Sequence, residues 1–448
     1  MKPKAAQFEI DLARGKLTHP QRLRMDIGMT YQARPQMFRP LGGHERMMYH
    51  YSSAHPRHFC IVAELTAARL PDDYRRAHQA VLSRHPLLRA KIDFDHEGGP
   101  SFYECPMIPE PDLLQRQADF DWCRTVESEL QRDFDAAAPR HRTTIVHDDT
   151  GAHVIITLHH AIADAIAGTA IIEDLMHALA GRPLAPLGFP TALEGDEIFL
   201  TFDRPRTGVE VALKGMPNVG MLIEIASQPL WRDFQGDRIA VRSASLDENL
   251  VAGLESKARK HRIPLNSIIC TSIAAAALKR EARKNYRILS AINLRPILGF
   301  AAGECAMRTI EAVVPLASVS AEHFWICARW HSEQIASIRD PEKISSNNRL
   351  LDSVISPGSD PRLSCGLLGT LNQDATVTNL GRLSVARSVD DVGLTALWGP
   401  MGHGRLSTER FFGISILGDK LHLVETTPAD HPSFIDGIIE VLEWVSQS

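Results

Sequence analysis

The stretch Val154-Ile155-Ile156-Thr157-Leu158-His159-His160-Ala161-Ile162-Ala163-Asp164-Ala165 decides how this chain reads. It sets two adjacent imidazoles after an apolar run and a carboxylate four residues beyond the second. Val154 to Leu158 predicts a buried strand and Ala161 to Leu179, rich in small residues, predicts a helix, so the pair sits at a strand-to-helix turn. Histidine titrates near neutrality, and a neutral ring at such a turn can take a proton from a hydroxyl or an amine.

Three further segments stand out along the chain. Arg84-His85-Pro86-Leu87-Leu88-Arg89-Ala90 lies upstream, and Asn293-Leu294-Arg295-Pro296 and Thr376-Val377-Thr378-Asn379-Leu380-Gly381 lie downstream. Together with the histidine pair, and in this order, they resemble the HHxxxDG superfamily of thioester-dependent acyltransferases. That superfamily includes chloramphenicol acetyltransferase, plant acyltransferases, mycobacterial polyketide-associated acyltransferases and nonribosomal-peptide condensation domains. The match is to its HHxxxDG, "RHPxLR", strand-end arginine and "xSNLG" segments, and spans roughly residues 40 to 448. Two departures matter. Ala165 stands where the family usually has glycine, the next glycine being Gly168, and alanine preserves a helical turn. The "DFGWG" segment of the plant branch is absent, with only Asp391-Val392-Gly393-Leu394 and Trp398-Gly399 nearby, which disfavours a plant-type member.

The resemblance implies an α/β fold of two chloramphenicol-acetyltransferase-like halves. Each half is expected to be a mixed sheet with flanking helices, with the active-site channel between them. The expected organisation is an N-terminal extension over residues 1–38, a first acyltransferase half over 39–185, a linker or crossover over 186–235 and a second half over 236–448. The linker is placed where prolines and glycines rise, as in Arg182-Pro183-Leu184-Ala185-Pro186. Local patterns predict strands at Phe59–Leu65, Leu88–Phe94, Arg142–His147, His153–Leu158, Ile239–Leu246 and Ile288–Asn293. They predict helices at Pro71–Arg84, Glu127–Phe134, Glu248–His261 and Asn266–Arg283. Strands interleaved with helices indicate layered α/β architecture.

By the resemblance, His160 is the general base of direct acyl transfer to a hydroxyl or amine, a role worth about 10²–10⁴-fold in rate. The competing reading is an ordinary core or surface histidine, since the chain has 20 of them. His159 faces the other way if the segment is extended, and reads as a structural residue that bonds the loop. Asp164 begins or caps the following helix. The family implies that it turns from the substrate to pair with an arginine, here Arg295, the two shaping the catalytic loop; the alternative is two unrelated surface charges. Thr378 and Asn379 are candidates to face the oxyanion or line the channel, or are structural residues at a strand end. Trp398, Met401 and His403 either line the acceptor side or pack in the core. The basic runs Lys257, Arg259, Lys260, Arg262 and Lys279, Arg280, Arg283, Lys284 either meet the phosphates of coenzyme A or an acidic carrier protein, or are solvated helix ends.

Composition bounds the remaining classes. The chain has 448 residues, 44% hydrophobic and 23% charged, with a net charge of -5 at pH 7, so it has no overall pull toward nucleic acid. Seven cysteines without regular spacing imply neither a disulfide framework nor a zinc site, and two adjacent histidines chelate one ion poorly, so no metal is expected. No signal-peptide core follows the first residues and no apolar window reaches spanning length, so a cytoplasmic protein is expected. The expected co-substrate is an acyl-CoA or phosphopantetheine thioester, with no bound cofactor and a small-molecule acceptor. Acyl transfer in secondary-metabolite or lipid biosynthesis is the leading function. A free-standing condensation-type enzyme using acyl or peptidyl carrier protein substrates, and a catalytically inactive docking module of the same fold, are the alternatives.

Overall fold

A computed structural model describes residues 36–193, 219–227, 238–281, 283–404 and 409–448. The strands, in chain order, are β1 (Met37–Pro40), β2 (His58–Leu65), β3 (Ala90–Phe94), β4 (Pro100–Glu104), β5 (Asp112–Gln115), β6 (His141–His147), β7 (Ala152–His159) and β8 (Ile239–Leu246). Then come β9 (Asn285–Asn293), β10 (Thr309–Ala317), β11 (Ala375–Arg382), β12 (Ser388–Val389), β13 (Val392–Gly402), β14 (Arg410–Leu417) and β15 (Lys420–Pro428). Two six-stranded sheets dominate, with orders β12-β13-β2-β7-β6-β5 and β10-β9-β11-β14-β15-β8, beside a small β1-β4-β3 sheet. Both large sheets are mixed: β5 runs parallel to β6, and β11 runs parallel to both β9 and β14. Each has its own apolar core, one around Ile61, Ile156, Leu158 and Ile172, the other around Ile273, Val377, Phe412 and Ile414. This is the two-lobed α/β architecture that the resemblance implies.

One strand ties the lobes together. β13 comes from the C-terminal part of the chain yet pairs with β2 of the first sheet, so residues 392–402 complete that sheet. β13 also lies against β14 of the second sheet, where Ser415 Oγ donates to the Leu397 carbonyl at 2.5 Å. Gly413 permits the approach, because a Cβ there would stand 2.0 Å from the Pro400 carbonyl oxygen. The lobes are thus stitched by a strand that no local pattern reveals.

Several element boundaries differ from the sequence expectation, each for a local reason. The helix expected from Ala161 starts at Ala165, because the Asp164 carboxylate accepts from Ala167 N at 2.9 Å and caps it, leaving 160–163 as a turn. Leu88–Arg89 belongs to a 3₁₀ turn, Pro86–Arg89, and the strand begins only at Ala90. The helix expected at Glu127–Phe134 spans Trp122–Gln131, since Asp121 accepts from Cys123 N as its cap. The helix expected at Asn266–Arg283 spans Leu265–Arg280, and the strand expected from Ile288 begins at Asn285.

Residues 1–35 of the expected N-terminal extension, and 194–218 and 228–237 of the expected crossover, lie outside the described residues. Within the crossover, a helix over Val219–Ala226 packs on the helix Pro361–Gly369. No helix among the described residues is long and apolar enough to cross a membrane.

Candidate active site

β7 delivers the histidine pair. Antiparallel pairing with β2 carries the chain to His159, after which His160 leaves the ladder with its N–H donating to the Arg57 carbonyl at 3.0 Å. His159 N–H donates to the Arg140 carbonyl at 3.0 Å. The His159 ring turns inward, where Nδ1 accepts from Ala161 N at 2.9 Å and so holds the turn. Tight packing comes immediately after, since a Cβ on Gly168 would lie 2.4 Å from Ile61 Cδ1, and the small residues of this helix bring it onto β2.

Asp164 sits at the centre of a buried cluster in which both of its carboxylate oxygens are used. Its Oδ1 caps the helix, and its Oδ2 accepts from Arg295 Nη1 at 2.7 Å, Arg308 N at 2.8 Å and Thr309 Oγ1 at 3.0 Å. Arg295 Nη2 goes on to the carbonyls of Glu304 and Ala306 at 3.0 and 3.1 Å. Both side chains of the pair are 3% exposed, so a charge left alone there would be poorly solvated. Arg308, fully buried, donates to both carboxylate oxygens of Glu304 and to the Thr191 carbonyl. The carboxylate of Asp164 therefore stitches the motif turn of the first lobe to β10 and the Arg295 turn of the second.

His160 is partly exposed and lines a cavity of 170 Å³ whose walls come from both lobes. Its ring leans on Phe59, centroids 4.6 Å apart. Burial first, then the positive Arg57 guanidinium and the neighbouring His159, hold its pKa well below the usual histidine range, so the ring is neutral near pH 7. His159 is held down likewise, by burial and then Arg140. Among the described residues His160 Nδ1 has no hydrogen-bond partner.

Across this cavity β11 contributes Thr376, Thr378 and Asn379. Thr376 Oγ1 donates to Glu409 Oε1 at 2.5 Å, and Asn379 Oδ1 accepts from Gly381 N at 2.7 Å, which leaves the Asn379 amide nitrogen as a donor. The Thr378 hydroxyl has no protein partner among the described residues. Of the sequence candidates, His160, Asp164, Thr378 and Asn379 all line the cavity, while His159 lines a different one.

Trp398 and Met401 pack in the core instead. Trp398 Nε1 donates to Glu64 Oε1 at 2.7 Å and its ring packs on Trp122 and His422, and Met401 is buried in the same cluster. His403 is buried too, and it is Pro400 of this segment that reaches the cavity. In the basic runs, Lys257 donates to the Ser448 carbonyl, Lys279 pairs with Glu440 at 3.3 Å and Arg280 donates to the Ser433 carbonyl at 2.6 Å.

Sequence reading missed Arg57 and Glu311. They form an ion pair of 2.8 Å between the lobes, and both line the cavity beside His160. Glu311 alternates with buried Ile310 and Ala312 along β10, a strand the sequence reading did not predict, and its partner lies 254 residues away. Asn266, at the start of its helix, and Arg339 line the same cavity.

No protein-family model matches the chain. An alignment 264 positions long, covering 55% of the chain, is 24% identical to a plipastatin synthase polypeptide of Bacillus subtilis (strain 168), of which it covers 7%. Polyketide synthase associated protein 5 of Mycobacterium tuberculosis superposes with a TM-score of 0.63 over 92% of this chain and 99% of its own, at 14% identity. The condensation domain of the monacolin K polyketide synthase MokA superposes with the same score, 0.63, over 92% of this chain and 97% of its own, at 12% identity. Both likenesses run over nearly the whole of each chain and so take in both lobes. The chain thus carries the chloramphenicol-acetyltransferase-like, condensation-type fold that its HHxxxD segment resembles.

Proposed function

We propose that the protein transfers an acyl group from a thioester to a hydroxyl or amine by direct attack, with His160 as general base. The observation that carries this reading is a neutral imidazole lining a cavity that both lobes wall. In the proposed step, His160 takes the acceptor proton as its oxygen or nitrogen bonds to the thioester carbonyl carbon. The oxyanion that forms is met by a donor, for which the Thr378 hydroxyl and the Asn379 amide are the candidates. Collapse breaks the carbon–sulfur bond, and the departing thiolate takes the proton back from the imidazolium. A base whose charged form is disfavoured gives that proton up readily, which suits the second half of the cycle.

The same fold in condensation domains favours a finer reading, in which the thioester is tethered to a carrier protein. The deciding experiment offers the purified protein one acyl chain as an acyl-CoA and as an acyl-carrier protein, with alcohol and amine acceptors. Product from either donor that disappears in H160A supports acyl transfer, and a strong preference for the carrier-bound donor supports the finer reading. Tight binding of a partner with no transfer from any thioester would favour a docking role instead.

A further inference from the structure

A second cavity, of 310 Å³, lies against the other histidine of the pair. Tyr49, Arg57, His58, Phe134, Arg140 and His159 are among its walls. Arg140, immediately before β6, is only 7% exposed. Its Nη1 donates to the Asp135 carbonyl at 3.2 Å and its Nη2 to the Ala136 carbonyl at 3.5 Å, while Nε has no partner among the described residues. No carboxylate pairs with it there. Its carbonyl accepts the His159 N–H, which anchors this backbone beside the histidine pair.

The other charges of the cavity are accounted for. Arg57 is paired with Glu311, and Asp133 is an exposed wall residue. His50, His58 and His159 are all shifted toward the neutral form, each by burial first. One buried guanidinium thus lines the cavity with no carboxylate in ion-pair contact among the described residues, the exposed Asp135 carboxylate acting on it only from a distance, and it lies over the Tyr49 ring in a wall that Phe134 shares. A planar fork of donors is matched by a carboxylate, and a single positive charge balances a monoanion better than a phosphate dianion.

We propose that this cavity binds the carboxylate of a small organic acid, its charge held by Arg140 and its apolar or aromatic body by Tyr49 and Phe134. This cavity is separate from the His160 cavity, the two sharing Arg57 as a wall, and its occupancy does not depend on acyl transfer being the reaction. Calorimetric titration of the folded protein with benzoate, its uncharged isostere benzamide, and inorganic phosphate tests it. Saturable benzoate binding is expected, with benzamide at least about tenfold weaker, and R140Q should bring benzoate down to the benzamide level. R140K, which keeps the charge and loses the fork, should fall between. Equal binding of benzoate and benzamide, no saturable benzoate binding, tighter phosphate than benzoate, or unchanged benzoate affinity in folded R140Q would each overturn it. If R140Q does not fold, the comparison of benzoate with benzamide on the unaltered protein still decides.

Discussion

The Asp164 carboxylate accepts from the Arg295 guanidinium at 2.7 Å across 131 residues of sequence, and both side chains are buried. The same Oδ2 takes the Arg308 N–H and the Thr309 hydroxyl, so one oxygen joins the motif turn to the second lobe. Removing one partner leaves the other charge buried and unpaired, which typically costs about 3–5 kcal/mol. D164N and R295Q should therefore each lower the melting temperature and activity, and the double variant should be less damaged than their sum. A double-mutant cycle by thermal melts measures the coupling. Strict additivity would show that the two charges stabilise the fold independently.

The His160 ring packs on Phe59, and among the described residues its Nδ1 makes no hydrogen bond whose loss would cost stability. H160A should thus stay folded, with a melting temperature near that of the unaltered protein, while turnover falls at least about a hundredfold, as for a positioned base. Rate and melting temperature are to be measured on the same preparation. Near-normal turnover in the folded variant would remove the base.

The pH profile is set by the groups that hold His160 neutral. Because burial and Arg57 keep its pKa well below the ordinary 6.5, kcat/KM should stay level as pH falls through that value. R57Q removes the positive neighbour and takes the Arg57 counter-charge away from Glu311, and both changes favour the imidazolium. The acid limb should then move upward, with activity lost at pH 6 more than at pH 8. Superimposable profiles would show that Arg57 does not tune the base.

How much of this was legible in sequence depends on the range of the contact. The turn bearing His160, the pairing of Asp164 with a downstream arginine and the helix over Pro71–Arg84 follow from motif and periodicity. The motif helix starts later than its pattern predicts because Ala161-Ile162-Ala163 is as helix-compatible as Ala165-Ile166-Ala167, and only the capping bond of Asp164 sets the boundary. Arg57, Glu311 and the bridging strand β13 were hidden for another reason. Their neighbours are fixed by how the two sheets meet, and that geometry has no local signature.

Four buried histidines predict acid lability. Burial pushes His58, His78 and His331 down to about 4 and His141 down to about 3. Above about pH 6.5 both folded and unfolded forms leave these rings neutral, so they cost nothing. Below it the unfolded chain binds protons that the fold refuses, and each group removes about 1.4 kcal/mol per pH unit until its folded value is reached. The melting temperature should fall from pH 7 to pH 5, before most carboxylates titrate. H331N, which keeps a donor and an acceptor toward Ser267 and Ser290, should make that fall shallower. A melting temperature that is flat over this interval would refute the account.

Direct attack also limits which species accumulate. No cysteine lines the His160 cavity, and burial pushes the thiols of Cys60, Cys270 and Cys305 up to about 12, so none of them is a ready thiolate. Cys305 comes nearest to the motif turn, and its Sγ donates to the Ile162 carbonyl at 3.6 Å. Of the hydroxyls among the described residues that line the cavity, Thr309 donates to Asp164 and Thr376 to Glu409, which leaves Thr378 as the candidate there to carry an acyl ester. Incubation with donor thioester and no acceptor, followed by denaturation and intact-mass measurement, should therefore find unmodified protein. Initial-rate kinetics should give intersecting double-reciprocal lines, as for a ternary complex. A stoichiometric acyl adduct that maps to Thr378 or to a cysteine, and is discharged when acceptor is added, would replace direct attack with a covalent route even if His160 proved essential.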